Sequence, residues 1–169
     1  MQYRRLFTPG GCYFFTLVTA QRQPVFCNKA AINALYEAFS HIRKKHPFKV
    51  DAFVLLPDHL HCIWTLPPDD HDFATRWRLI KTWFTKHYES DLCSGKSPWQ
   101  QRYWEHLLRD DLDYQHHVEY IHYNPVKHGY VQRPLDLPHS SFQRYFLSGI
   151  YPEDWGSNGV QLPEDTGGE

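Results

Sequence analysis

The sequence contains no C-x-x-C pair: its four cysteines, Cys12, Cys27, Cys62 and Cys93, stand far apart. Neither a zinc knuckle nor a disulfide framework is indicated, and reduced thiols are expected. No apolar run approaches the roughly 20 residues that span a bilayer, and the start, MQYRRLFTPGG, lacks the apolar stretch of a signal peptide. The expectation is a soluble cytoplasmic protein. Internal repeats and low-complexity linkers are also absent. Net charge is only -1, which by itself argues against a nucleic-acid binder, but the charge is unevenly spread. From Ile150 to Glu169 there are five acids and no Lys or Arg, which leaves residues 1–149 with 18 basic and 14 acidic groups. The body is mildly basic and the tail acidic.

Present in quantity are apolar and aromatic residues, 41% and 17%, enough for one domain of 169 residues to bury a core. Six Trp, eleven Tyr and twelve His are the unusual part, since aromatic rings can be core or can stack on unpaired bases. After the turn signal TPGG, Cys12–Thr19 is rich in aromatic and β-branched residues and reads as a strand. Lys29–Lys45 places Ile32, Leu35, Ala38, Phe39 and Ile42 on one helical face, and Pro47 closes it. Val50–Leu56 and His59–Leu66 read as a hairpin turning at Pro57-Asp58, and Phe73–Tyr88 as a second helix. SGKSPWQQRYWEH reads as an aromatic loop, and Asp110–Asn124 as a third helix ended by Pro125. The predicted class is α+β, helices packed on an antiparallel sheet, with one domain over 1–155 and an acidic, mobile tail over 156–169.

LLPDHLHCIWTL (55–66) puts two histidines into an apolar run. On a strand Leu60, Cys62, Trp64 and Leu66 share the core side, so His59 and His61 point together off the other, spaced to grip one ion. Two hydrogen-bonded histidines on a half-exposed sheet face are the plain alternative. A histidine-triad hydrolase would need a third histidine where Ile63 stands, and a cupin site would need a glutamate that CIWTLPP does not supply. The missing ligand must come from elsewhere. In the third helix Tyr120 and Asn124 lie four residues apart, on one face, so that a phenol and an amide oxygen could meet the same site. Two imidazoles and one amide with open positions suit Mn²⁺ or Mg²⁺ better than structural zinc. A core aromatic and a helix C-cap are the ordinary roles for Tyr120 and Asn124.

Taken together, YFFTLVTAQR (13–22), FVLLPDHLHCIWTLP (53–67), RWRLIKTWF (76–84), WQQRYWEHLLRD (99–110) and YIHYNPVKHGYV (120–131) resemble a known family. It is that of the single-tyrosine HUH transposases, the IS200-like transposases, and within it the REP-associated tyrosine transposases. The resemblance spans about residues 3–155. It implies a ferredoxin-like HUH nuclease fold, with His59 and His61 as metal-binding pair, Asn124 as third ligand and Tyr120 as nucleophile. It further implies a metal-dependent endonuclease and strand transferase acting on single-stranded DNA beside REP-like hairpins through a covalent 5′-phosphotyrosine. Tyr123, about 300° from Tyr120 around the helix, and Tyr114, about 120° back, compete for the nucleophile's role. No general base is identified.

Arg4, Arg5, Arg76, Arg78, Lys81, Lys86, Trp99, Arg102 and Lys127 are the candidate DNA contacts, the basic groups for phosphates and the aromatic for bases. Solvated charges and core rings would account for about half of them. Two other classes remain: a module that binds hairpin DNA without cutting it, and a hydrolase of small phosphate esters, which leaves the tyrosine without a role. Related transposases are dimers that share sites; here a monomer using its own Tyr120 is the expectation. The five tail carboxylates could compete with nucleic acid for a basic groove.

Overall fold

The computed structural model describes residues 6–88, 96–164 and 166–167. The aromatic run after TPGG forms β1 (Cys12–Val18), and Asn28, whose side chain accepts the Ala30 N–H, opens α1 (Lys29–Lys45). β2 (Lys49–Leu55) and β3 (His59–Thr65) make the hairpin, closed by the Leu56 N–H donating to the His59 carbonyl. Asp72 caps α2 (Phe73–His87) and Asp110 caps α3 (Asp111–Lys127), each accepting a backbone N–H three residues on. Between these helices lies β4 (Trp104–Leu107), and a short α4 (Phe142–Leu147) follows.

The strands are ordered β2-β3-β1-β4, and every pairing is antiparallel. With α1 carrying the chain from β1 to β2 and α2 from β3 to β4, this is the βαββαβ order of a ferredoxin-like sheet. Side-chain alternation divides the core in two. Tyr13, Phe15, Leu17, Leu60, Cys62 and Trp64 face α1 and α2, meeting Leu35, Phe39, Trp77, Ile80 and Phe84. Phe14, Ala52, Val54 and Ile63 face the other way and are covered by Val118, Tyr120 and Ile121 of α3. The histidine face is therefore covered too: every residue from His59 to Trp64 is buried.

Two local expectations are corrected. The segment read as a loop ends in the first three residues of β4, whose four residues pair with β1 in the register Tyr13↔Leu107 to Thr16↔Trp104. Glu105 and His106 are poor strand formers, and the pairing partner overrides their propensity. Nor does α3 stop before Pro125; it continues to Lys127. So near the C-terminus the proline removes a single intrahelical bond, the one to the Ile121 carbonyl. Termination falls instead to Gly129, at φ +72°, where the Gly129 and Tyr130 N–H groups bond the Val126 and Pro125 carbonyls.

Candidate active site

β3 delivers two buried imidazoles whose ring centroids are 5.0 Å apart. His59 Nδ1 lies 2.5 Å from Asp58 Oδ1. Burial works against the Asp58 charge, but His59 and Arg22, by hydrogen bond and by charge, outweigh it and hold the carboxyl below its ordinary value. An ionised carboxylate only accepts, so His59 donates from Nδ1, and in the neutral ring the lone pair is then on Nε2. His61 is fixed by the strand beside it. Thr16, directly opposite in register, places Oγ1 2.8 Å from His61 Nδ1 and donates its single hydrogen to the Gly167 carbonyl at 3.0 Å. The Thr16 oxygen must then accept the His61 Nδ1–H, leaving Nε2 of this ring as a lone pair as well. Such outer partners are what orient metal-binding histidines.

α3 crosses above them. The Tyr120 ring stands edge-on to His61, with centroids 5.2 Å apart, and Phe14 touches both rings. One turn further on, Asn124 is fully buried, and neither atom of its amide has a hydrogen-bond partner among the described residues. An amide left so in a dry interior is costly unless something else satisfies it. A divalent ion would take up the amide oxygen, though not the NH2 donor, and the donor set of two imidazoles and one amide oxygen fits Mg²⁺ or Mn²⁺. Lys127 Nζ lies 4.9 Å from the centre of the Tyr120 ring, and the His128 ring stands 5.4 Å from that of His59.

The rival tyrosines point elsewhere. Tyr123 packs toward Gly156 and Gly159. Tyr114 packs at the edge of the cluster formed by Phe14 and Ile63, where burial pushes its phenol well above the ordinary value. The tail, by contrast, enters the site. Gly167 is buried against Tyr120 so closely that any side-chain carbon there would overlap the phenol ring.

The sequence pattern of the family described as "Transposase IS200 like" matches residues 10–124. The chain belongs to this family. The match runs from the turn before β1 to Asn124, so it includes His59, His61 and Tyr120. An Escherichia coli (strain K12) protein named REP-associated tyrosine transposase is 44% identical over 154 residues, covering 91% of this chain and 90% of its own length. A Haemophilus influenzae relative is 42% identical over 165 residues, covering 92% of this chain and 93% of its own. A solved structure of a REP-associated tyrosine transposase bound to a REP hairpin superposes with a TM-score of 0.86 at 41% identity, over 100% of this chain and 97% of that one. Its relatives make this IS200-like chain a tyrosine transposase, an enzyme of DNA cleavage and strand transfer.

The expected DNA contacts of the transposase separate into four groups. Arg4 and Arg5 lie outside the described residues. Arg78, Lys81 and Lys86 line a cleft of about 540 Å³ with Gln101 and Tyr103, and Arg102 is exposed next to it. Lys127 belongs to the tyrosine site. Two expectations fail on burial. Arg76 is 1% exposed, and its guanidinium is occupied by Asp70 and by the His46, Pro47 and Asp72 carbonyls. Trp99 is 4% exposed and packs on Phe26 and Phe84. Sequence reading missed Asp58, Thr16 and His128. Asp58 was legible as the neighbour of His59, whereas Thr16 joins His61 only once β1 and β3 are paired. No helix among the described residues is long and apolar enough to cross a membrane.

Proposed function

We propose that Tyr120 is the nucleophile of a transesterase that cuts single-stranded DNA beside a REP-like hairpin, and that His59, His61 and Asn124 hold its divalent ion. What supports this reading is the packing of Tyr120 edge-on to His61 and of His61 on His59, with Asn124 buried one turn further along the same helix and its amide without a hydrogen-bond partner among the described residues. The hairpin substrate is carried over from the bound structure of the similar transposase. Residues 1–155 would form the catalytic domain and 156–169 the tail, in a monomer working where the cell's DNA lies.

A bound Mg²⁺ or Mn²⁺ would polarise the scissile phosphate and neutralise charge that develops on it. Asp58 and Thr16 keep a lone pair on both Nε2 atoms. Tyr120 Oη attacks phosphorus; the bond from phosphorus to the 3′ oxygen breaks, and that oxygen leaves as a 3′-hydroxyl once protonated. A phenol of pKa about 10 is mostly protonated at neutral pH, and the Lys127 ammonium over the ring favours negative charge on the phenol and on the phosphate. The 5′-phosphotyrosine keeps the energy of the broken ester, so the 3′-hydroxyl of another strand can reverse the step and join.

The test is a labelled hairpin oligonucleotide with a single-stranded flank, incubated with Mn²⁺ or EDTA and run under denaturing conditions. A protein–DNA adduct that needs both metal and Tyr120 is expected; Tyr120→Phe should lose it while still folding and binding the hairpin. Binding without any adduct, across several flanks, would leave a non-cutting hairpin module. Turnover of small phosphate esters without an adduct would leave a hydrolase.

A further inference from the structure

A second group of metal-ligating side chains lies outside this site. His106 of β4 and Asp113 and His117 of α3 bring one nitrogen of each imidazole and one carboxylate oxygen within 4.8 Å of one another. The carboxylate stands between the rings: Oδ2 is 2.9 Å from His106 Nε2, and Oδ1 is 3.1 Å from His117 Nδ1. Asp113 is itself fixed, with its N–H donating to Asp110 and its Oδ2 accepting the Arg109 N–H.

We propose that His106, Asp113 and His117 form a second divalent-cation site, of the zinc class, that clamps the edge strand β4 to the tyrosine helix. Two imidazoles and one carboxylate are the donors that Zn²⁺ and its neighbours take, with water completing the shell. Both His106 and Asp113 keep about a fifth of their side-chain surface exposed, 22% and 20%, so the site is open to ion and water. With bonds of about 2.0–2.2 Å, ligand atoms around a tetrahedral ion sit roughly 3.4 Å apart. The rings, now stacked at 20° with centroids 4.8 Å apart, must tilt toward the carboxylate, and His117 Nδ1 must give up its 2.8 Å bond to the Asp113 backbone carbonyl. Loading replaces the imidazole protons that now face Asp113, and they leave to solvent.

The position gives the clamp a consequence. His117 and Tyr120 are three residues apart on α3, and the Phe14 ring packs on His117 at 4.8 Å as it does on His61 and Tyr120. An ion here would fix the helix that carries the phenol while remaining outside the His59–His61 pair.

Zn²⁺ titration calorimetry and Co²⁺ visible absorption on the full chain test this, because neither depends on DNA chemistry. Wild type should bind two equivalents of Co²⁺ and His106→Gln one, with Asp113→Asn behaving as His106→Gln does. In His59→Gln/His61→Gln the remaining equivalent should persist, and Zn²⁺ should raise the melting temperature; adding His106→Gln should remove both effects. Equal stoichiometry in wild type and His106→Gln, or no metal-induced shift in the His59→Gln/His61→Gln protein, would overturn the site and leave a hydrogen-bonded His–Asp–His network. Loss of DNA adducts in Tyr120→Phe bears only on the first reading.

Discussion

Asp58 illustrates how much of this chemistry rests on one hydrogen bond. Its carboxylate sets the His59 tautomer, so Asp58→Asn keeps the shape but lets the ring turn or exchange its proton. Losing such a partner typically weakens metal binding about 10–100-fold. The expected outcome is a Mn²⁺ affinity reduced by that factor in calorimetry, with adduct formation restored at higher Mn²⁺; unchanged affinity would remove Asp58 from the account. Strand and helix periodicity fixed the direction of His59, His61, Tyr120 and Asn124, and the fold buries all four where β3 and α3 face each other. Single-residue readings from sequence failed for Arg76 and Trp99, because a charge or ring on a helix or loop carries no sign of which face the fold will bury.

At the level of elements, α3 is the working part. Residues 113, 117, 120 and 124 form one stripe along it, so the helix that supplies the phenol and the amide also supplies two members of the second cluster. The helix was legible from its spacing. Its passage through Pro125 was not, since the bias before proline is a preference that packing can override. β4 was hidden because two charged or imidazole side chains interrupt its four residues, and only β1 makes them a strand. α2 divides its charges by face: Arg76 inward, Arg78, Lys81 and Lys86 along the cleft. Replacing each of the three cleft residues with Ala should lower the slope of log affinity against log salt by roughly 0.7–0.9. Arg76→Met should leave the slope alone and instead destabilise folding by about 2–4 kcal/mol in urea, because Asp70 and three carbonyls lose their partner. The reverse pattern would return Arg76 to the DNA surface.

Across the whole molecule, the segment after α3 folds back over it. His122 is fully buried between the Tyr151 hydroxyl, 3.2 Å away, and Ser141 Oγ, 2.7 Å away. Burial, with the Arg144 charge, pushes it down to about 3 from its ordinary 6.5. A histidine kept neutral in the fold but free to protonate when unfolded stabilises above pH 6.5, and that stability drains as pH falls from 6.5 toward 3. The slope from this group approaches about 1.4 kcal/mol per pH unit. Urea midpoints from pH 7 to 4 should therefore fall more steeply for wild type than for His122→Asn; parallel curves would contradict the assignment. The tail was expected to be mobile and acidic, yet Gly167 reaches Thr16 and Tyr120, a placement that composition cannot encode because a glycine carries no pattern. A strand entering the site must move it, and Thr16 Oγ1 can still accept the His61 Nδ1–H once its own hydrogen turns from Gly167 to water or to the DNA. Deleting residues 165–169 should therefore raise adduct yield several-fold, and an unchanged yield would make the tail a bystander.

The most direct measurement of the central claim is to map the DNA-linked residue itself. Wild-type protein would be reacted with the hairpin oligonucleotide in Mn²⁺, digested with nuclease and protease, and the nucleotide-bearing peptide sequenced by mass spectrometry. The account predicts a phosphodiester on Tyr120, linked to the 5′ end of the DNA. Attachment at Tyr123 or Tyr114, or a link to the 3′ end, would contradict it.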